Sequence, residues 1–313
     1  MIFNRPDVTR RVFEQIKKNK PAFLYIAADG PRKGKLGEDK LCATTRSIVF
    51  ENIDWNCEIV TLLRDENLGC GKAVSEAITW FFEHVEEGII LEDDCYPDSS
   101  FFNYCEELLL RYRYDDKIFS IGGTNLGYTP PSGYSYEFSG YMNMWGWATW
   151  RRASVLVDYK LSNWKSLKYK KFFLIRKLFK NQFPDFKWLQ YWIDILNLTA
   201  SGKLDTWDYQ WIFTQWYYNK ISIFSSKNLV QNLGFTGEAT HTLDINHSIA
   251  KLPLDHLSFP LKHPKHQKAN RFYEDKYIMR VWFGHFKQTL FGSVKTKLLY
   301  IPIFKRLNAF LKS

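Results

Sequence analysis

Cysteine is scarce in this chain. Cys42, Cys57, Cys70, Cys95 and Cys105 are the only five in 313 residues. They form no Cys-x-x-Cys pair and have no histidine at zinc-ligand spacing, which argues against a disulfide framework and a structural zinc site. Free thiols in a reducing cytoplasm are therefore expected. Long apolar runs are also missing: no uncharged stretch approaches the ~20 residues of a spanning helix. The opening residues carry Arg5, Asp7, Arg10 and Arg11, unlike a secretory signal peptide. Internal repeats and low-complexity tracts are absent. A composition of 45% hydrophobic and 24% charged residues excludes a disordered or collagen-like chain. Together these features predict a protein that is soluble or peripheral to a membrane.

Aromatic residues are abundant, with 25 Phe, 18 Tyr and 12 Trp. Most large aromatics serve as core, and some can wall flat, stacking pockets. The net charge of +10 is unevenly placed. From Lys262 to Ser313 there are 12 Lys or Arg against only Glu274 and Asp275, whereas the preceding 261 residues hold 31 of each sign. A neutral body with a basic tail suits an anionic membrane surface better than a nucleic-acid-binding fold, which would need a basic face. No nucleic-acid partner is expected.

Strand and helix patterns alternate through the first half. Val8–Lys18 has the apolar spacing of a helix, and Ala22–Ala28 reads as a buried strand ending in Asp29-Gly30-Pro31. Glu38–Phe50 reads as a helix, Cys57–Leu63 as a strand, Lys72–Val85 as a helix, Gly88–Leu91 as a short strand and Phe101–Tyr112 as a helix. This order predicts an α/β fold with a mostly parallel sheet and helices on both faces, and ligands at the carboxyl ends of the strands. Met1–Pro6 resembles the last residues of a strand, shorter than the usual five or six. Residues 122–150 are rich in Gly, Tyr, Met and Trp, and Met142, Met144, Trp145, Trp147 and Trp150 read as core and pocket wall. Trp164–Lys187 is a basic-aromatic stretch with eight Lys or Arg against Asp185.

The sharpest chemical signal is Glu92-Asp93-Asp94, three acids directly after the apolar strand. Adjacent carboxylates repel unless a cation or hydrogen-bond donors meet them. Their hard oxygens select Mg²⁺ or Mn²⁺, which are often held by one or two carboxylates together with phosphates and water. A solvated acidic turn is the simpler alternative. The position at a strand's carboxyl end favours a ligand site.

Gly88–Phe102 resembles the acidic metal-binding motif of the GT-A glycosyltransferases, in particular the N-acetylglucosaminyltransferase I type and bacterial proteins similar to it. Further blocks resemble the same family in the same order: Asn4-Arg5-Pro6, Asp29-Gly30-Pro31-Arg32, Ile121–Asn125, Gly146-Trp147, Trp207-Asp208 and Asn228–Thr242. The resemblance spans residues 2 to about 245 and implies a three-layer α/β/α domain. It implies a donor site in which Asp29 reads the nucleotide base and Arg5 and Arg32 pair with base, ribose or phosphate. Glu92 and Asp93 would hold ribose or sugar hydroxyls, and Asp94 would be the direct ligand of Mn²⁺ or Mg²⁺. Asn125 falls in a donor-side block, and Trp147 and Trp207 fall on the acceptor side. Asn67 and Gly69 either shape the nearby loop or form a plain turn.

Asp208 is the candidate general base, since inverting sugar transfer needs a carboxylate to take the acceptor hydroxyl proton. Its competing role is a helix cap, with Asp205 and Glu238 as rival bases. His241 is either a metal or diphosphate contact or a structural histidine. The expected organisation is a catalytic domain over residues 1–255 and a basic, helical, aromatic extension over 256–313 that binds anionic membranes. The expected function is sugar transfer from a nucleoside diphosphate donor, UDP-linked, to a carbohydrate or lipid-linked carbohydrate acceptor in cell-surface polysaccharide synthesis. Competing classes are a sugar nucleotidyltransferase, which would want a Gly-rich triphosphate loop after the first strand, and a non-enzymatic sugar- or membrane-binding protein. The expected location is the cytoplasm, peripheral on the inner membrane face.

Overall fold

A computed structural model describes residues 1–178, 186–234 and 252–279. Helix α1 (Pro6–Asn19) opens with proline, whose fixed φ suits a first helical turn. Asp7 lies in that turn and Lys17 and Lys18 in the last, each matched to the helix dipole. Strand β1 (Phe23–Ala28) leads to α2 (Glu38–Phe50), and β2 (Glu58–Leu63) to α3 (Cys70–His84). Then come β3 (Glu87–Ile90), β4 (Cys95–Pro97) and α4 (Ser99–Arg111), capped by Asp98 accepting from the Ser100 N–H at 2.8 Å. Such a cap stabilises a helix by about 1 kcal/mol.

Strands β5 (Ile118–Gly122), β6 (Tyr136–Ser139) and β7 (Trp147–Trp150) follow, and then the short helices α5 (Arg151–Ser154) and α6 (Ser162–Ser166). Helices α7 (Lys170–Leu178), α8 (Phe186–Ala200) and α9 (Asp208–Tyr217) precede β8 (Ile221–Ser225) and β9 (Val230–Asn232). A last short helix, α10 (Arg271–Tyr273), runs into a π turn at Glu274–Ile278.

The fold is mixed α/β, and the mostly parallel sheet expected from the first half is not what these strands form. The largest sheet has the order β3-β7-β5-β8-β6, and only β5 and β8 pair in parallel within it. Strand β7 enters antiparallel between β3 and β5. Its sequence, Trp-Ala-Thr-Trp, is buried on both faces, so it carries no alternation to mark it as a strand. A separate parallel pair joins β1 to β2. Between β1 and β3, Ile2 bridges Ala28 in parallel, and the Met1 amino group donates to the Leu91 carbonyl at 2.7 Å. An apolar cavity lined by Val12, Phe13, Leu24 and Ile26 adjoins this bridge.

Most of the aromatic excess is core. Trp147, Trp150, Trp164, Trp192 and Trp211 are all fully buried. Trp192 packs edge-on to Trp216 at 4.5 Å, and Trp147 to Trp211 at 4.9 Å. Such pairs add about 0.5–1.5 kcal/mol each beyond their buried area. Residues expected in the C-terminal extension join this body: Leu257 and Leu261 pack with Phe101, and Tyr273 stacks on Phe224 at 3.9 Å. Residues 280–313 lie outside the described residues. Among the described residues no helix is long and apolar enough to cross a membrane.

Candidate active site

The acidic turn is built by the strands on either side of it. Strand β3 ends in buried Ile90, and Glu92, Asp93 and Asp94 follow before β4 begins. Strand β4 pairs antiparallel with β9, Cys95 opposite Asn232, which carries residues 230–234 over the turn. The Leu233 N–H donates to the Asp94 carbonyl at 2.7 Å. Gly234 approaches so closely that a Cβ there would overlap the Asp94 Oδ2.

Arg5 answers the charge. Its guanidinium makes two bonds to Asp93, one of them Nε to Oδ2 at 3.3 Å, and donates from Nη1 to Asp94 Oδ2 at 3.0 Å. Burial would lower the Arg5 pKa, but the charges and hydrogen bonds of Asp93 and Asp94 reverse this and raise it. Glu92 is pushed up to about 8, first by burial and then by repulsion from Asp94 and Asp93. Asp94 is also raised by burial, against the opposing pull of Arg5. The Arg5 guanidinium and the Met1 amino group, whose charge also lowers Glu92, set two cationic groups against three clustered carboxylates.

Asp29 stands at the end of β1, as expected, and its carboxylate is engaged with its own loop. It accepts from Asn67 Nδ2 at 2.8 Å, the Leu68 N–H at 3.1 Å and the Gly30 N–H at 3.0 Å. Burial raises its pKa, opposed by these backbone bonds. Asn67 is thus a partner of Asp29 and not a plain turn residue; its Oδ1 also accepts from the Gly69 N–H at 3.1 Å. Arg32, expected on the donor, forks onto buried Glu38, which also accepts from Asn4 Nδ2 at 3.0 Å. Asn125 is 2% exposed and its amide bonds the Tyr128 and Ser226 carbonyls at 2.8 and 3.2 Å, so in this structure it organises a turn.

Asp208 opens α9, and its Oδ1 accepts from the Thr206 hydroxyl and from the Tyr209 N–H at 2.9 Å. The cap position itself belongs to Trp207. The thiol of Cys70, at the start of α3, connects Asp208 to the acidic turn. Its pKa is pushed up to about 12, chiefly by burial, then by the charges of Glu92, Asp208, Asp205 and Asp94 in that order. Carboxylates more than a hundred positions apart in sequence therefore act on the charge of one thiol. Asp205 clamps this arrangement: its Oδ1 accepts from the Gly71 N–H at 2.9 Å, and a Cβ on Gly69 would lie 2.7 Å from its Oδ2.

Trp147 and Trp207 stack on each other at 6.0 Å and 17°, with exposures of 1% and 5%. Both rings expected to meet an acceptor are buried in this structure, Trp147 also meeting Trp211 edge-on. His241 and Glu238 lie outside the described residues. Sequence reading missed Cys70 as the meeting point and Asp205 as a clamp; the Gly69 and Gly71 pair was the available signal, since both need room beside another chain segment.

Among the described residues no group of three or more His, Cys, Asp or Glu is disposed to hold a metal ion. The carboxylates of the turn nevertheless fit a hard cation by their chemistry. Besides burial, repulsion from Asp93 and Asp94 raises Glu92 and repulsion from Asp93 raises Asp94, and a cation would relieve that clustered negative charge. Asp94 would supply the protein ligand to Mg²⁺ or Mn²⁺, with phosphate oxygens and water completing the shell. No protein-family model and no curated protein matches the chain.

Proposed function

We propose that the chain is a metal-dependent glycosyltransferase of the GT-A type. It moves a sugar from a nucleoside diphosphate donor, a UDP-sugar, to a carbohydrate acceptor, with inversion at the anomeric carbon. The observation that carries this reading is the run of three acids after β3, bonded by Arg5, with the Asp205–Asp208 segment held against the start of α3 through the Gly71 N–H. A cation-binding turn and a separate carboxylate base are the two parts such a transfer requires.

In this reading Mn²⁺ or Mg²⁺ at Asp94 would neutralise charge on the diphosphate leaving group. Arg5 holds Asp93 and Asp94 in place. Glu92, titrating near neutral pH, can accept or donate a hydrogen bond to a sugar hydroxyl. The loop held by Asp29 and Asn67 shapes the base end of the donor site. Asp208 takes the proton of the acceptor hydroxyl as its oxygen bonds to the anomeric carbon, and the bond to the diphosphate breaks with its electron pair leaving on phosphate. The Thr206 and Tyr209 bonds fix the orientation of the Asp208 carboxylate for that transfer. A cytoplasmic location and a lipid-linked acceptor complete the reading, with the basic tail beyond residue 279 as an anchor; those residues lie outside the described part.

A panel of nucleotide sugars with Mn²⁺ and Mg²⁺ tests this, read by thermal shift and by release of nucleoside diphosphate. A UDP-sugar should raise the melting temperature of the parent protein and not of Asp94→Asn. A panel that leaves the parent unshifted would overturn the reading.

A further inference from the structure

The basic-aromatic stretch around α7 takes no part in the site, yet its exposed face is unusual. Residues 163–178 contain Lys165, Lys168, Lys170, Lys171, Arg176 and Lys177 and no acid. Leu174 and Leu178 bury the inner side of α7, and Phe173 packs on Phe213 at 6.0 Å and on Tyr217 at 6.3 Å. The outer side carries Phe172 at 68% exposure with Arg176 one turn on, and Tyr169, in the turn just before α7, is 66% exposed. These positions share one helical stripe. Beside it, at the end of α9, Tyr217 and Tyr218 are also exposed, and Lys177 Nζ bonds Asn219 Oδ1 at 3.2 Å to join the two elements.

We propose that this face, with Tyr169 and Phe172 at its centre, is a membrane contact surface that seats on anionic phospholipid headgroups. An exposed phenyl ring among lysines has the chemistry of an interfacial helix: the ring enters the headgroup region and the ammonium groups meet phosphate. Tyrosine suits a boundary with one wet and one apolar side. No acid interrupts these sixteen residues, so the stretch itself carries only charge attracted to an anionic sheet. A single-stranded nucleic acid could also meet aromatics and lysines, but the rest of residues 1–261 carries 25 Lys or Arg against 31 acids and supplies no basic track for a polynucleotide backbone. This surface is distinct from the basic tail and does not depend on the glycosyltransferase reading.

The test is sedimentation of the full chain with vesicles of phosphatidylglycerol and phosphatidylcholine, against phosphatidylcholine alone. Lys168→Gln with Lys171→Gln should weaken binding to the anionic vesicles by roughly tenfold or more, at about 1 kcal/mol for each lysine near the surface. Tyr169→Ser with Phe172→Ser should weaken it several-fold, with the melting temperature unchanged because all four side chains are exposed. Hydrogen exchange should slow over residues 168–178 when vesicles are added. Binding unchanged in both double variants would overturn the proposal and leave the tail as the anchor. Equal displacement of the protein from vesicles by short single-stranded DNA, with exchange over 168–178 slowed by the DNA instead, would overturn it in favour of a nucleic-acid surface.

Discussion

Replacing Arg5 by methionine probes the charge balance of the acidic turn. The substitution keeps much of the side-chain bulk and removes the guanidinium that bonds Asp93 twice and Asp94 once. Asp93 is 5% exposed, so water cannot easily take over. Breaking a buried ion pair by removing one partner costs about 3–5 kcal/mol. The Arg5 side chain is 26% exposed, which places the expected loss at the lower end, about 3 kcal/mol at pH 8. That is a large share of a stability of about 5–15 kcal/mol. Two conditions should restore it. Acid should, because Asp94 is already raised by burial and loses the lowering influence of Arg5, so it protonates readily. Mn²⁺ should, because a cation bound at a hundredfold excess over its Kd adds about 2.7 kcal/mol. Urea unfolding at pH 8 and pH 5, with and without Mn²⁺, measures all of these. An Arg5→Met protein within about 0.5 kcal/mol of the parent at pH 8, the range of an ordinary surface change, would show that Arg5 does not balance the turn.

Asp208→Asn should keep UDP-sugar affinity and lose transfer by about 10²–10⁴, the usual contribution of a general base; equal losses in affinity and rate would mark it as structural. Gly71→Ala should destabilise by about 1–3 kcal/mol, since the new Cβ would sit 2.5 Å from Asp205 Oδ1 and 2.8 Å from the Thr206 nitrogen. Gly34→Ala, where φ is +76° and nothing lies within 4 Å, carries backbone strain without overlap, whereas Gly71 sits in α3 without positive φ and carries the overlap alone, so their denaturation midpoints report the two effects separately. Glu92 makes stability depend on pH. Its folded pKa of about 8 lies above the ordinary carboxyl value, so its favourable contribution is full below about pH 4.5 and is lost as pH rises through 8. Unfolding of the metal-free protein between pH 5 and 9 should follow that slope, and Glu92→Gln should flatten it.

Much of the first half was legible because its elements are bounded by strong local signals. The helix expected at Glu38–Phe50 has those limits in the structure, and β1, β2 and β3 fall within a residue or so of their expected starts. Apolar periodicity and flanking Gly and Pro suffice for such segments. Strands β4 and β9 have three residues each and exist because they pair with one another across more than a hundred positions, which no local pattern records. The site was legible in outline. Acids after a buried strand are visible in sequence, and so is an Asp opening an amphipathic helix. The protein partners of Arg5 and Arg32, which are Asp93, Asp94 and Glu38, had no local signal in the sequence. Likewise, a tryptophan able to stack on a sugar is equally able to stack on another tryptophan, and Trp147 and Trp207 do the latter.

The central claim is that the turn after β3 binds a nucleoside diphosphate through a divalent cation at Asp94. Calorimetric titration of UDP into the full chain, with Mn²⁺ present and then with chelator, tests it most directly. Saturable binding in Mn²⁺ that disappears with chelator, and is absent from a folded Asp94→Asn protein, is the predicted result. UDP binding of equal strength in the parent and in Asp94→Asn, or no binding by the parent in Mn²⁺, would contradict the claim.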